Sequence, residues 1–344
     1  MKSAFITGVL GQDGTYLARW LLGKGYRVHG LIRGASARNQ VRIHARFTAE
    51  ERKRLKFHTA PLEHSARLTR AFEAADPDEV YHLAGLSDSR RSFEIPEQTF
   101  ESVTLGSVRL LELARRNSKP IRFFLASSCE VFGVPRQSPQ NESTPRRPVT
   151  PYGIAKDAAD SLARLYRDHY GQFISTGVLY NHESPLRPTH YLSGHVARAV
   201  AAITRSTQHD LKIGTLEAKR DWSDARDFVR GFYLALQAEH PGDYIFASGR
   251  SRTVAELVRC AFRAVGLDYK EYVTVEPARV GVVPVPSGLC GDASRARRVL
   301  GWKPRWSFEQ TITDMVQAEL EQRPLVLRGD PSFQSEVNPV AAAH

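Results

Sequence analysis

Ser3-Ala4-Phe5-Ile6-Thr7-Gly8-Val9-Leu10-Gly11-Gln12-Asp13-Gly14 joins a short apolar run to three glycines spaced three apart. The run reads as a buried strand, and the glycines as a turn into a helix expected over Gly14–Lys24. Gly8, Gly11 and Gly14 let the backbone turn sharply, approach a pyrophosphate closely and pack the helix against the sheet. Phosphates then meet the free N–H groups of the helix N-terminus. A glycine turn alone is also an ordinary tight connection. Its place, after the first strand and at the opening of a helix, is the context that a dinucleotide site requires.

The pattern then repeats. Short β-rich runs at Arg27–Ile32, Leu55–His58, Val80–Leu83, Arg122–Ala126 and Ile174–Leu179 alternate with amphipathic stretches at Ser65–Ala75, Ser102–Asn117 and Tyr152–Tyr170. In the Ser102 segment, Val103, Leu110, Leu111, Leu113 and Ala114 mark one apolar face. Such alternation specifies a parallel sheet covered by helices on both faces. The expected fold is α/β, a Rossmann-type doubly wound parallel sheet over residues 1–180. After Asn181 the alternation loosens, and Asn181–Arg226 reads as loops around a helix at Ser193–Arg205. Later helices are expected at Thr253–Val265, Ser294–Leu300 and Phe308–Glu321, with Gly301-Trp302-Lys303-Pro304 as a stop signal. Residues 181–322 are thus expected to form a smaller α/β substrate-binding part, some segments returning to the first domain. Residues 323–344 read as a tail, surface-draped or mobile.

Composition narrows the function classes. The 344 residues carry 48 Lys and Arg against 37 Asp and Glu, a formal net charge of +11. The basic residues are scattered among acidic ones, clusters such as Arg90-Arg91 are short, and no zinc-finger, RNP or basic-arm pattern occurs, so no nucleic-acid partner is expected. A positive cleft instead suits a ligand with several phosphates. No apolar run approaches a membrane span, and the first strand is too short for a signal-peptide core. Cys129, Cys260 and Cys290 are odd in number and widely spaced, and form neither a disulfide framework nor a zinc pattern. A cytoplasmic protein with no metal and no membrane partner is expected.

The end of the second expected strand bears on the cofactor. Where a carboxylate would accept ribose hydroxyls, the chain has Arg33, then Gly34-Ala35-Ser36 and Arg38. An arginine suits a 2′-phosphate through charge-assisted hydrogen bonds, which favours NADP, with NAD as the alternative. Further along, Pro151-Tyr152-Gly153-Ile154-Ala155-Lys156 places a phenol and an ammonium on one helix face. The ammonium is expected to stabilise the phenolate and lower its pKa, so that Tyr152 can act as a base, while Lys156 can also hold the nicotinamide ribose. The fifth expected strand ends in Ser127-Ser128-Cys129-Glu130, where active sites of such sheets lie. Ser128 can hydrogen-bond the reacting hydroxyl. Glu130 offers a second base, which abstraction of a carbon-bound proton requires and simple redox chemistry at one carbinol does not.

With Gly11-Gln12-Asp13-Gly14, Ser127-Ser128-Cys129-Glu130, Tyr152-x-x-x-Lys156, Asn181-His182-Glu183-Ser184-Pro185 and Ala218-Lys219-Arg220-Asp221-Trp222, the chain resembles the extended short-chain dehydrogenase/reductase family. Within it, residues 1–322 resemble the GDP-mannose 4,6-dehydratases. The resemblance implies a redox-neutral conversion of a nucleotide sugar to its 4-keto-6-deoxy form with recycled NADP. Tyr152 would take the C4 hydroxyl proton as hydride leaves C4, Glu130 would take the C5 proton, water would leave from C6, and hydride would return there. It further implies Gln12, Asp13, Ser36, Leu62, Leu83 and His182 at the cofactor. At the substrate it implies Ser87, Glu94, Cys129, Asn181, Arg187, Lys219 and Arg220. A homodimer or homotetramer is implied as well.

The chain departs from the family pattern in places. Gly34 stands where a second arginine is usual, Ala84-Gly85-Leu86-Ser87 replaces Ala-Ala-Gln-Ser, and Leu186-Arg187 replaces an arginine pair. An aspartate usual near the adenine is replaced around Pro61, and an Arg-Pro-x-Glu segment by Val282–Val285. Competing readings are a nucleotide-sugar 4-epimerase or 4-reductase, against which Glu130 argues, and a catalytically silent cofactor-binding regulator.

Overall fold

A computed structural model describes residues 1–277 and 288–324, so the expected tail from Leu325 and the Val282–Val285 segment lie outside the described residues. In chain order the elements are β1 (Ser3–Thr7), α1 (Gln12–Gly23), β2 (Arg27–Ile32), α2 (Ala37–Arg46), α3 (Ala49–Arg54), β3 (Leu55–Thr59), α4 (Ser65–Ala75) and β4 (Glu79–His82). There follow α5 (Ser89–Glu94), α6 (Pro96–Phe100), a π-helical turn (Glu101–Leu105), α7 (Gly106–Arg116), β5 (Arg122–Ala126), a 3₁₀ turn (Cys129–Phe132), α8 (Pro151–Tyr170) and β6 (Ile174–Leu179). Then come β7 (Asn181–Glu183), α9 (Leu192–Thr204), β8 (Leu211–Ile213), β9 (Lys219–Asp224), α10 (Ala225–Gln237) and β10 (Asp243–Phe246). The last described are β11 (Ser251–Thr253), α11 (Val254–Arg263), β12 (Val273–Val275), α12 (Ser294–Leu300) and α13 (Phe308–Leu320).

Seven strands form one sheet in the order β10-β6-β5-β4-β1-β2-β3. Every pairing in it is parallel. The order reverses direction between β1 and β4, which opens a crevice beyond the carboxyl ends of the strands. One face of the sheet packs through Tyr16, Leu17, Leu21, Phe228 and Phe232 of α1 and α10. The other packs through Leu68, Phe72, Leu110, Leu111, Ala159 and Ala163 of α4, α7 and α8. A third cluster, from α9, α11 and α13 with Trp222 of β9, is the core of the C-terminal part.

Several elements differ from the sequence reading. Asn181–Arg226 holds β7, β8 and β9 beside its helix. The first two strands are three residues each, too short to display alternation, and β9 carries Asp221 and Asp224 that are buried because each is hydrogen-bonded. The expected Ser102–Asn117 helix opens with the π-helical turn. Strand β10 gave no pattern of its own, yet it completes the main sheet by pairing with β6. The Gly301-Trp302 stop signal does more than end α12. Gly301 takes the left-handed conformation at the C-cap, and Trp302 enters the core fully buried, donating Nε1–H to the Asp227 carbonyl at 2.7 Å.

Candidate active site

The site grows from the first turn. Gly11 N–H donates to the Gly8 carbonyl at 2.8 Å, and Gly8 has φ +73°, a conformation that costs glycine nothing. A Cβ on Gly14 would lie 2.7 Å from the Val9 Cα, so only glycine lets α1 come this close to the turn. Helix α1 begins at Gln12 with no side chain capping it, which leaves its N-terminal N–H groups for an anion. Thr7, at the end of β1, accepts from Leu83 N–H and Ala84 N–H, both at 3.1 Å. Its own proton therefore goes to His82 Nδ1 at 2.7 Å, and burial holds that imidazole neutral, its pKa pushed down to about 3. The bond fixes β4 against β1 at the crevice floor.

The second half of the turn is tied to β7. Gln12 donates to the His182 carbonyl at 3.1 Å and accepts from Ser184 Oγ at 2.7 Å. Asp13 faces His182 Nε2 at 2.9 Å, while His182 Nδ1 faces the Tyr180 carbonyl at 2.7 Å. Burial alone would neutralise both partners, but their mutual attraction wins: Asp13 is held below the usual carboxylate range and His182 above the usual imidazole range.

On the ribose side, Arg33 extends from the end of β2 and pairs with Glu63 at 3.0 Å, its side chain 77% exposed. Such a pair contributes about 0–1 kcal/mol, so a phosphate can displace it. Ser36 caps α2 by accepting Asn39 N–H. Arg42, which sequence reading missed, donates to the Leu10 carbonyl of the glycine turn at 3.0 Å. Leu62 is buried beneath the π-turn, where a Cβ on Gly106 would meet it at 3.1 Å, and Leu83 is partly buried at the crevice.

The reactive groups sit where β5 ends and α8 begins. Thr150 caps α8, accepting Gly153 N–H at 2.9 Å, and Pro151 takes the first helical position, so Tyr152 and Lys156 both lie in the first turns of α8. Lys156 is buried and donates to the Ala126 carbonyl at 2.6 Å. Burial brings its pKa down to about 8, opposed by Asp160 one turn on. Tyr152 contacts the Ser128 hydroxyl. The expectation that Lys156 lowers the phenol's pKa is not met: burial and the Glu130 carboxylate push it well up, and the ammonium is spent on the strand carbonyl. Glu130 is raised by burial and held back by hydroxyls from Ser89 and Thr150 and by Arg220. Ser89, Thr150, Asp160 and Arg146 are further residues of the site. Asp160 accepts from Ser127 and from Arg146, each at 2.6 Å, bracing the β5 end. Only Thr150 carried a readable signal, as a Thr-Pro helix start.

The substrate candidates are spread along one rim. Ser87 hydrogen-bonds Tyr191 at 2.6 Å, and Arg187 stacks on the Tyr191 ring at 3.8 Å while pairing with Glu183 at 3.0 Å. Tyr191 acts on the Tyr152 phenol and was missed from sequence. Asn181 opens β7, paired in register with Trp222, and Lys219 and Arg220 open the neighbouring β9. Arg220 bears on Glu130 and Cys129, whereas Lys219 is exposed. Cys129 is buried against Val131, Phe132 and Tyr180, its thiol pushed up by burial and by Glu130. Glu94, the last residue of α5, is exposed, and among the described residues no hydrogen bond joins it to the site. Among the described residues no His, Cys, Asp and Glu cluster could hold a metal, and no helix is long and apolar enough to cross a membrane.

A parallel sheet with a glycine turn at its switch point, and a Ser, Tyr, Lys set beside it, defines an extended short-chain dehydrogenase/reductase. The family profile described as GDP-mannose 4,6 dehydratase matches residues 5–315, and the chain belongs to that family. It is 41% identical over 327 residues to "GDP-mannose 4,6 dehydratase 2" of Arabidopsis thaliana, covering 93% of this chain and 87% of that one. Among solved structures it is similar to RMD from Pseudomonas aeruginosa complexed with NADPH, with TM-score 0.76, 21% identity and 93% and 100% of the two chains covered. It is also similar to dTDP-glucose 4,6-dehydratase from Bacillus anthracis in complex with NAD, with TM-score 0.78, 19% identity and 94% and 97% covered. These two show the shared fold.

Proposed function

We propose that the chain is a GDP-mannose 4,6-dehydratase that recycles a tightly held NADP. The observation that carries this reading is the presence of Glu130 beside the Ser128, Tyr152 and Lys156 set, since a 4-epimerase or 4-reductase needs no base for C5. The uncapped start of α1 and the close-packed glycine turn fit a pyrophosphate. Arg33 follows the end of β2, and Arg38 and Arg42 face one another on α2, which suits a 2′-phosphate and favours NADP over NAD. When bound there, a nicotinamide would supply the hydride acceptor for C4 and the hydride donor for C6.

The chain's own groups do the rest. Ser128 orients the C4 hydroxyl, and Tyr152 would accept its proton once the positive charge of a bound oxidised nicotinamide offsets the burial and the Glu130 carboxylate that hold the phenol protonated. Lys156, anchored on the Ala126 carbonyl, keeps a positive charge near the Tyr152 ring. Glu130 removes the C5 proton that the 4-ketone has made acidic and hands it to the departing C6 hydroxyl; as hydride returns to C6, the resulting enolate takes a solvent proton at C5 and Tyr152 gives up the proton it took from the C4 hydroxyl. Cys129 fills space as a small apolar group. Arg187, Lys219 and Arg220 supply positive charge for the nucleotide diphosphate, with Asn181 beside them. The enzyme works as a homodimer: Phe100, Leu105 and Ile154 are 36%, 44% and 45% exposed on α6, the π-turn and α8, which pack side by side.

Incubation with GDP-mannose and NADP is expected to yield a product lighter by one water, with no net cofactor consumed. Recovery of GDP-talose, or of unchanged sugar, would overturn the reading; a sedimentation profile showing monomer only would remove the dimer.

A further inference from the structure

We propose that Ser89 is a positioning residue for Glu130, and that with Thr150 it aims the carboxylate so that Oε1 is the oxygen that takes the C5 proton. The inference rests on the reading of Glu130 as the C5 base. Both carboxylate oxygens are engaged: Oε1 accepts from Ser89 Oγ, and Oε2 accepts from Thr150 Oγ1 at 3.0 Å. Two hydroxyl donors from different elements, α5 and the cap of α8, leave the side chain one orientation.

The two hydroxyls are not equivalent. Thr150 Oγ1 also accepts Gly153 N–H at 2.9 Å as the helix cap, so its own proton stays on Oε2. Ser89 Oγ makes no second hydrogen bond among the described contacts. A serine hydroxyl can turn from donor to acceptor about a single bond. When the C5–H bond breaks, its electron pair enters the enolate conjugated with the C4 carbonyl, and the proton goes to Oε1. Ser89 then releases that oxygen without loss elsewhere, whereas protonation at Oε2 would strip Thr150 of its acceptor. The same proton leaves Oε1 with the C6 hydroxyl as water while the enolate pair forms the C5–C6 double bond.

Ser89 also links the two reacting residues. Its carbonyl accepts from Ser92 Oγ at 2.5 Å, and Ser92 Oγ accepts from Tyr152 N–H at 3.2 Å. Helix α5 thus carries the Glu130 clamp and the start of α8 as one unit. The charges facing Glu130 are Arg220 of β9, which favours the carboxylate, and Asp88, the cap of α5, which opposes it. The Tyr152 phenol and Cys129 thiol face it uncharged.

A donor to the ionised form holds the base ready at lower pH, so its removal moves the acid limb of proton abstraction upward. The test follows the initial rate at which solvent deuterium enters C5 in D₂O across the acid limb, with the rate of hydride removal from C4 in a single turnover as reference. Ser89→Ala is expected to shift the limb up by about one pH unit, lowering the rate of incorporation below the limb roughly tenfold, with hydride removal and KM unchanged. Ser89→Thr is expected to restore the limb. A limb that stays in place in Ser89→Ala, while Glu130→Gln blocks incorporation, overturns the clamp and leaves the reading of Glu130 standing. Incorporation that survives Glu130→Gln overturns both.

Discussion

Asp13 of the glycine turn and His182 of β7 meet at 2.9 Å across 169 residues of chain, each holding the other's charge. Because His182 Nδ1 already donates to the Tyr180 carbonyl, an ionised Asp13 leaves the ring protonated on both nitrogens. The pair pins the phosphate-binding turn to the C-terminal part.

The stability it contributes should follow pH. His182 has a raised folded pKa, so its contribution is full below the unfolded value near 6.5 and is lost as pH rises through the folded value. Asp13 has a depressed one, so its contribution is full above about 3.8 and is lost as pH falls through the folded value. His182→Gln should therefore cost about 1–3 kcal/mol near pH 5.5 and distinctly less near pH 9, read as the difference in melting temperature from the unaltered protein. An equal cost at both would show that the charge is not what binds the turn.

Tyr152→Phe should stop the first oxidation, so that neither product nor a transient absorbance of reduced nicotinamide appears. Glu130→Gln should pass that step and stall, with the absorbance building up and C5 exchange abolished. Rapid-mixing spectroscopy separates the two, and an identical early block in both variants would remove Glu130 from its role.

Lys156, with its pKa brought down to about 8, should impose an alkaline limb on turnover. Its ammonium is lost as pH rises through that value, and with it the positive charge that the proposed mechanism uses beside Tyr152. The pH–rate profile should bend downward near 8. A profile flat to pH 10 would place the ammonium outside the reaction.

Cys129→Ser should keep most activity, because the thiol is buried among apolar side chains and held neutral. Loss of a general acid would instead slow elimination by about 10²–10⁴-fold with C5 exchange retained. Steady-state turnover decides between them.

Nucleotide released from the denatured protein should be NADP(H) rather than NAD(H), identified by mass spectrometry. Arg33→Ala should shift the bound population toward NAD(H), since the exposed Glu63 pair gives little and the phosphate contact gives more. Finding NAD(H) alone before the change would overturn the arginine argument.

The sheet and its motifs were legible because apolar runs and glycine spacing are local signals. The strand ends that aim Ser128 and Glu130 follow from β5, and the Tyr152–Lys156 spacing from helical geometry. Ser89, Tyr191 and Asp160 were not legible. Each acts through a partner distant in sequence: Ser89 reaches Glu130 41 residues on, Tyr191 reaches Ser87 104 residues back, and Asp160 reaches Ser127 33 residues back. Nothing in their immediate neighbours marks them. The phenol's pKa failed for a different reason, since spacing places the ammonium on the right face but cannot show that a strand carbonyl claims it.

Strand β10 arrives after β6 by way of 63 intervening residues, 180–242, yet lies beside it as the sheet's last strand. Until residue 246 has left the ribosome, β6 is an open edge flanked by apolar faces, the kind of surface on which nascent chains pair wrongly. Helix α10, which lies across the same face, is synthesised just before it. The first 180 residues are therefore no transplantable module: a chain cut there should aggregate, and a graft of a foreign C-terminal part must bring its own replacement for β10.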